Sequence, residues 1–252
     1  MKLRFNIAII ILSIVALGCK QDTNSTNNGD TTTSTTPATA SSAKEWETYG
    51  YKNYNTEHQT AIDAFLKAAA MHESANDYKS AAVMYTNVSN LYRDAMENKN
   101  AAVDYGMKAL LNWRKEKDLL QQGNLLKDIG LLQAETFQFR EAYRSLNEAL
   151  IIFRRFNNHD AIAITEFNIA STNYIAERYD AAIQHMLLAK EHWVKKGNPN
   201  RILNINILGI NIYKKNGQLE EVQKLIDECE NIRSNNEVNR YAEQRYLKAI
   251  QE

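Results

Sequence analysis

Helix-breaking residues are scarce in this sequence. It contains two prolines and nine glycines among 252 residues, and Pro199 is the only proline after residue 56. All-β folds need frequent turn residues, so this scarcity argues against them. The composition therefore predicts an all-α protein in which long helices are joined by short turns.

An excess of charge of one sign and the common catalytic motifs are also missing. Thirty basic residues balance thirty acidic ones, and no basic run of the kind that follows a phosphate backbone is present. The sequence has no glycine-rich phosphate loop, no nucleophile elbow and no HExxH pair. These absences disfavour nucleic acid as a partner and predict a protein with no cofactor and no enzymatic activity.

Cysteine and histidine offer little for a disulfide framework or a metal site. Cys19 lies at a predicted processing site, and Cys229 lies inside a helical pattern, where we expect a buried thiol. His185 and His192 are seven residues apart on one helix face, a geometry that a metal pair could use. Because no carboxylate or cysteine lies four residues from either one, we interpret them as surface histidines and predict no metal site.

The N-terminus resembles the signal of a bacterial lipoprotein. Residues 1–19 begin with Lys2 and Arg4 and continue with an apolar stretch, residues 7–17, that is too short to span a bilayer core of ~30 Å. They end in Ala-Leu-Gly-Cys, which is similar to the lipobox, although the family prefers its leucine one place earlier. The resemblance implies lipidation of Cys19 and a place in the cell envelope, with the outer membrane favoured and the membrane face left open. A secreted protein cut elsewhere and an uncleaved anchor are the alternatives.

Residues 20–45 are predicted to form a disordered tether. The stretch 20–43 has eight threonines, four serines and no large apolar side chain, so it cannot bury enough surface to offset the entropy of ordering. As a flexible coil it would span roughly 25–30 Å. The folded part is therefore expected to comprise residues 46–252.

A repeat of about 40 residues organises this folded part. From one unit to the next, small residues align at two places seven residues apart, and a large aromatic residue follows four places later: Ala102, Ala142 and Ala182; Ala109, Ala149 and Ala189; Trp113, Phe153 and Trp193. All three places fall on one face of a helix. Small residues let a neighbouring helix approach closely, and the aromatic ring fills the next layer of the core.

The repeat defines four predicted helix pairs. Their bounds are about 79–116, 119–156, 159–196 and 199–232, with one helix before them near 57–75 and one after them near 237–250. Asparagine, aspartate and glycine in the intervening segments suit helix caps and turns. The stretch 76–108 fits two registers of the repeat, one from Ala81 and one from Ala102.

This pattern resembles the tetratricopeptide repeat (TPR). Residues 177–183, with Ala189, look like the second helix of that repeat, as do residues 139–143 with Ala149, and residues 76–82. Gly130 and Ala170 fill the family's small position in the first helix, from which Ile210 departs, and the unit is longer than the family's usual one. The resemblance covers about residues 57–233. It implies an all-α, TPR-like solenoid of helical hairpins wound as a right-handed superhelix.

The resemblance also implies a protein-binding scaffold, with first helices that line a concave groove for a protein or peptide. The predicted groove residues are Asn124, Lys127, Phe167, Ser171, Tyr174, Asn204, Asn211 and Lys214. Aromatic rings, amides and lysines together suit an extended peptide. Packing of Phe167 and Tyr174 between units is the alternative interpretation.

A second hypothesis is a structural component of an envelope assembly machine. An outer-membrane assembly lipoprotein built from such repeats is similar in size and also carries a lipobox. Its repeats often end in proline-rich turns, and the single Pro199 argues mildly against this hypothesis. The sequence identifies neither the partner nor the pathway.

Overall fold

The computed structural model describes residues 41–251, and this part of the chain is helical apart from its turns. Its eleven helices are α1 (Ala43–Asn53), α2 (His58–Ser74), α3 (Tyr78–Asp94), α4 (Lys99–Glu116), α5 (Leu119–Glu135), α6 (Phe139–Arg155), α7 (His159–Ile175), α8 (Tyr179–Lys196), α9 (Pro199–Lys215), α10 (Leu219–Asn235) and α11 (Arg240–Gln251). None of these helices is long and apolar enough to cross a membrane. The predicted signal, Cys19 and most of the predicted tether lie outside the described residues.

The helices pack as consecutive hairpins. Each odd-numbered helix from α1 to α9 packs on the even-numbered helix that follows it, and α11 packs on α9. Connections of two to four residues make successive helices antiparallel. The odd-numbered helices therefore begin at one edge of the array, and the even-numbered helices begin at the opposite edge. The predicted all-α array of helical hairpins is confirmed.

A left-handed residue ends the helix at seven successive turns. These residues have positive φ and recur at a constant interval along the chain: Glu97, Lys117, Phe137, Asn157, Glu177, Gly197 and Gly217. After Phe137, for example, the backbone N–H of Gln138 returns to the carbonyl of Gln133 at 2.8 Å, as in a Schellman motif. The constant turn geometry makes each helix, together with its turn, one half of the repeat that the sequence shows.

The small residues of the repeat lie where helices approach most closely. Ala142 and Ala149 on α6 are completely buried. On the facing helix α5, a Cβ atom added to Gly130 would lie 2.7 Å from Cγ of Leu146 and 3.2 Å from the carbonyl oxygen of Ala142. The aromatic residues of the repeat (Trp113, Phe153 and Trp193) are also buried, so their predicted place in the core is confirmed.

Helix α1 and the hairpin that it forms with α2 are absent from the sequence prediction, which extends the tether to residue 45. Ser42 and Glu45 form a capping box: the Ser42 hydroxyl accepts from the backbone N–H of Glu45, and the Glu45 carboxylate accepts from the backbone N–H of Ser42 at 3.1 Å. Gly50 of α1 then packs against the ring of Phe65 on α2. The capping box was the local signal that a helix begins here.

Helix α2 does not align with the later second helices at a shift of 40 residues. The shift from α2 to α4 is one position longer than the shift from α4 to α6. The connection between α3 and α4 has four residues, whereas the connection between α5 and α6 has three. Buried Ala61 and Ala68 on α2 therefore correspond to Ala102 and Ala109 on α4 only when one residue is added. The resemblance of residues 76–82 to a second helix is wrong, because they lead into the first helix of a hairpin, α3. The repeat therefore follows the register of Ala102.

Candidate protein-binding surface

The predicted groove residues are divided among three first helices. Asn124 and Lys127 lie on α5; Phe167, Ser171 and Tyr174 lie on α7; Asn204, Asn211 and Lys214 lie on α9. The helices α5 and α7 contact each other, as do α7 and α9. The eight residues therefore belong to one continuous layer of helices, but their surroundings differ.

Phe167 and Ser171 do not line an open groove, and this corrects the sequence prediction. Phe167 is 3% exposed, and its ring centroid lies 5.7 Å from that of Trp193 on α8. Ser171 is buried as well, and its hydroxyl donates to the carbonyl of Phe167. The ring of Phe167 thus belongs to the core of its own hairpin, as the alternative interpretation held for this residue.

Asn204 and Lys214 are engaged by the C-terminal helix. The Arg245 guanidinium donates to Oδ1 of Asn204 at 3.1 Å, and Nζ of Lys214 donates to the carbonyl of Ala249 at 2.7 Å. Helix α11 therefore occupies the side of α9 to which these residues were assigned. Both side chains stay partly exposed, but each already has a hydrogen-bond partner on α11.

Asn124, Lys127, Tyr174 and Asn211 remain partly exposed. Nζ of Lys127 lies 3.4 Å from the neighbouring carboxylate of Asp128. The ring of Tyr174 lies 6.3 Å from that of Tyr179, across the α7–α8 turn. Of the eight predicted groove residues, these four are thus the remaining candidates for contact with a partner.

A buried carboxylate joins three consecutive helices beside this layer. Glu166 on α7 is 4% exposed, accepts from Nη2 of Arg154 on α6 at 3.1 Å, and lies 2.6 Å from Nδ1 of His185 on α8. A buried carboxylate is costly unless it is paired, so this network fixes the relative positions of the three helices. His185 is thus partly exposed, as the surface interpretation holds, but it also joins α8 to α7.

His192 makes a similar bridge at the start of α7. Its Nε2 lies 3.0 Å from Oδ1 of Asp160, and this hydrogen bond is the main reason that the pKa of Asp160 lies below its ordinary value. Both carboxylates come from another helix, so a search four residues away on α8 could not find them. Within residues 41–251, no group of three histidine, cysteine or acidic side chains is arranged to hold a metal ion.

Two surface cavities lie at opposite edges of the array. One, of about 370 Å³, lies between the α7–α8 and α9–α10 turns and is lined by Arg178, Asp180 and Asn216 among others. The other, of about 280 Å³, lies between α7 and the α8–α9 turn, where Lys196 and Arg201 surround Asp160. Both are open to solvent, and polar and apolar groups line them about equally, so neither has the enclosed apolar character of a typical small-molecule site.

Comparison with solved structures identifies the fold as TPR-like. The apo form of RapI superposes with a TM-score of 0.71 at 17% identity, over 81% of this chain and 56% of that one. A putative kinesin light chain from Podosopora anserina with nearly identical TPR-like repeats has a TM-score of 0.62 at 14% identity, over 76% of this chain and 94% of that one. BtubC from P. vanneervenii has a TM-score of 0.59 at 17% identity, over 79% and 90% of the two chains. This chain thus aligns with just over half of the length of RapI.

Sequence comparison adds no closer relationship. No family model and no curated protein matches the chain. At identities of 14–18%, the structural matches define the architecture, which agrees with the TPR-like solenoid that the repeat pattern predicts.

Proposed function

We propose that this protein is a membrane-anchored scaffold that binds another protein through its layer of first helices. The observation that supports the scaffold most is the array itself: five hairpins and a terminal helix follow one another, and the first helices α5, α7 and α9 contact one another in sequence. Arrays of this kind offer an extended surface rather than a pocket. The open character of both cavities described above fits this use.

The proposed contact surface is narrower than the sequence predicts. Its centre is the partly exposed set Asn124, Lys127, Tyr174 and Asn211, because Phe167 is buried and Lys214 is bound to α11. Amides can bond an extended backbone, and a tyrosine ring adds apolar area at low entropic cost. These features favour a peptide-like segment of a protein partner.

The anchor half of the proposal depends on Cys19 and its lipobox-like context. Replacing Cys19 by Ala should leave the protein soluble or unprocessed, whereas the wild type should fractionate with membranes. Fractionation, together with the intact mass of the mature protein, measures both outcomes. Unchanged membrane association with cleavage at the same bond would refute lipidation.

The binding half can be tested by photo-crosslinking in intact cells. A photoreactive residue at Asn124 or Asn211 should give discrete protein adducts, identified by mass spectrometry. The matched control is Asn147, an exposed asparagine on α6, which belongs to the layer of second helices. Adducts from Asn147 alone would place the contact on the second-helix side and would contradict the proposal.

A further inference from the structure

One edge of the array has an excess of positive charge at three of its turns. The α4–α5, α6–α7 and α8–α9 turns lie on this edge, and we call their exposed bases the basic edge: Arg114, Lys115, Lys117, Arg154, Arg155, Lys195 and Lys196. The same turns hold three acids, Glu116, Asp118 and Asp160. On the opposite edge the α5–α6, α7–α8 and α9–α10 turns have six acids and four bases. The middle of the array, from α4 to α10, is therefore polarised across its width.

Part of this positive charge stabilises the helices themselves. The last turns of α4, α6 and α8 are basic, and cations stabilise the carbonyl ends of helices. That role does not account for the partly exposed Arg201, which lies on the same edge in the first turn of α9, beside the 280 Å³ cavity. The basic edge thus has more positive charge than its helix ends require.

Exposed apolar side chains accompany these bases. Phe156 is 50% exposed in the α6–α7 turn, directly after Arg154 and Arg155. Val194 on α8 is 53% exposed, next to Lys195. Apolar side chains beside lysine and arginine are typical of surfaces that rest in the interface of an anionic bilayer.

The chain also enters the array from this edge. Odd-numbered helices begin here, so the N-terminal end of α1 at Ala43 lies on the same edge as the basic turns. The preceding segment, residues 1–40, includes Cys19 and joins the described part at Ser41. A lipid anchor on that segment would be connected to the edge that carries the positive charge.

We propose that the basic edge docks on an anionic lipid surface. This inference extends the proposed membrane anchor, since the anchor supplies proximity and the edge supplies orientation. Lysine and arginine lie against the headgroups, and Phe156 inserts at their level. The opposite edge and its turns then face away from the bilayer. The layer of first helices stays open from the side.

Lysine acetylation of the full chain on vesicles tests this orientation. The purified protein is bound to vesicles of phosphatidylcholine, either alone or mixed with phosphatidylglycerol, and the modification of each lysine is measured by mass spectrometry. On the anionic vesicles Lys117, Lys195 and Lys196 should react several-fold more slowly than on the neutral ones. Lys52 and Lys215, exposed on the opposite edge, should react equally on both. High salt should abolish the difference because it screens exposed charges.

Two matched pairs of variants sharpen the result. Changing Lys117, Arg155, Lys195 and Lys196 to Gln should remove the protection of the edge, tracked at Lys115, whereas changing Lys52, Arg140, Arg178 and Lys215 to Gln should not. Phe156→Ser should weaken the protection, and Phe137→Ser should leave it intact, since Phe137 is 59% exposed on the opposite edge. Helicity measured for every variant separates lost docking from lost folding.

The outcomes distinguish the anchor from the edge. Binding to anionic vesicles alone, lost in the Gln variant of the basic edge, would refute the anchor and support the edge. Binding to both kinds of vesicle with equal reactivity of all lysines would support the anchor and overturn docking of the edge. Protection in cells but not on anionic vesicles would point to an acidic protein on the basic edge and would also overturn the proposal, as would no binding to either vesicle.

Discussion

At the scale of single residues, small side chains determine how closely the helices pack. Ala149 on α6 and Gly130 on α5 are two examples. Alanine favours a helix over glycine by about 1 kcal/mol when the site is open, yet a methyl group at Gly130 would collide with Leu146 and with the α6 backbone. Sterics outweigh propensity here, because the backbone of a packed helix cannot move aside as a flexible side chain can.

Ala149→Trp should therefore destabilise the protein by about 1–3 kcal/mol or more, since a completely buried site between helices has no room for an indole. Asn147→Trp is the control, because Asn147 is exposed on the same helix, and it should cost under about 0.5 kcal/mol. Thermal unfolding followed by circular dichroism measures both. Equal melting temperatures would show that the alanine stripe does not face a neighbouring helix.

At a left-handed turn residue, a substitution is expected to raise stability, whereas the change at Ala149 is expected to lower it. Lys117 is exposed and has φ of 59°, a conformation that strains any residue with a Cβ atom. Lys117→Gly should relieve this strain and raise stability by roughly 0.5–1 kcal/mol. Arg144→Gly, at an exposed position in the middle of α6, should lower stability by about 1 kcal/mol. The two glycine variants should thus shift the unfolding midpoint in opposite directions, and a shift in the same direction would refute the strain argument.

At the scale of helices, α11 completes the core at the C-terminal end. Tyr246 is fully buried, and its hydroxyl donates to Glu230 on α10 at 2.7 Å, while Arg233 on α10 pairs with Glu243 on α11. The adjacent thiol of Cys229 is also fully buried, and burial raises its pKa to about 12. The terminal helix therefore protects this thiol, and the reactivity of the thiol can show whether α11 has detached.

Tyr246→Ala should detach or loosen α11 and make Cys229 reactive towards a thiol reagent at pH 8. In the wild type the thiol should react only after unfolding, because it is both buried and protonated at that pH. Tyr241→Ala is the matched control, since Tyr241 lies on the same helix but is 44% exposed. The rate of labelling measures the outcome, and rapid labelling of native wild type would contradict the capping role of α11.

The helices also show what the sequence can and cannot predict. The second helices were predictable because Ala102, Ala142 and Ala182 recur at a fixed shift. The turns before α3, α4, α7 and α9 were predictable because aspartate or asparagine caps the helix that follows. Helix α1 was missed because its start lies inside the segment predicted as a tether, where the capping box of Ser42 and Glu45 is the local signal of a helix. The groove was only partly predictable, because a helix pattern shows that Phe167 is on an apolar face but not that the face meets Trp193.

Pairings between helices were beyond the reach of sequence patterns for a related reason. His185 and Glu166 lie on different helices and come together only through the hairpin. No spacing rule within one helix relates them. Contacts of α11 with Asn204 and Lys214 are equally invisible, because they depend on where the last helix docks.

At the scale of the whole molecule, the hairpins should behave as neighbours in a line rather than as one globular core. In such an array each unit is stabilised mainly by the units beside it, so the effect of a local defect on a unit declines with the distance between them. Both proposed surfaces depend on this linear arrangement of residues 41–251.

Hydrogen exchange of the Ala149→Trp variant tests this linear arrangement most directly. Amide exchange measured by mass spectrometry in the wild type and the variant reports the opening of each helix separately. The increase should be largest in α5 and α6, smaller in α4 and α7, and smallest in α2 and α10. An equal increase in all helices would mean a single cooperative core and would contradict the array.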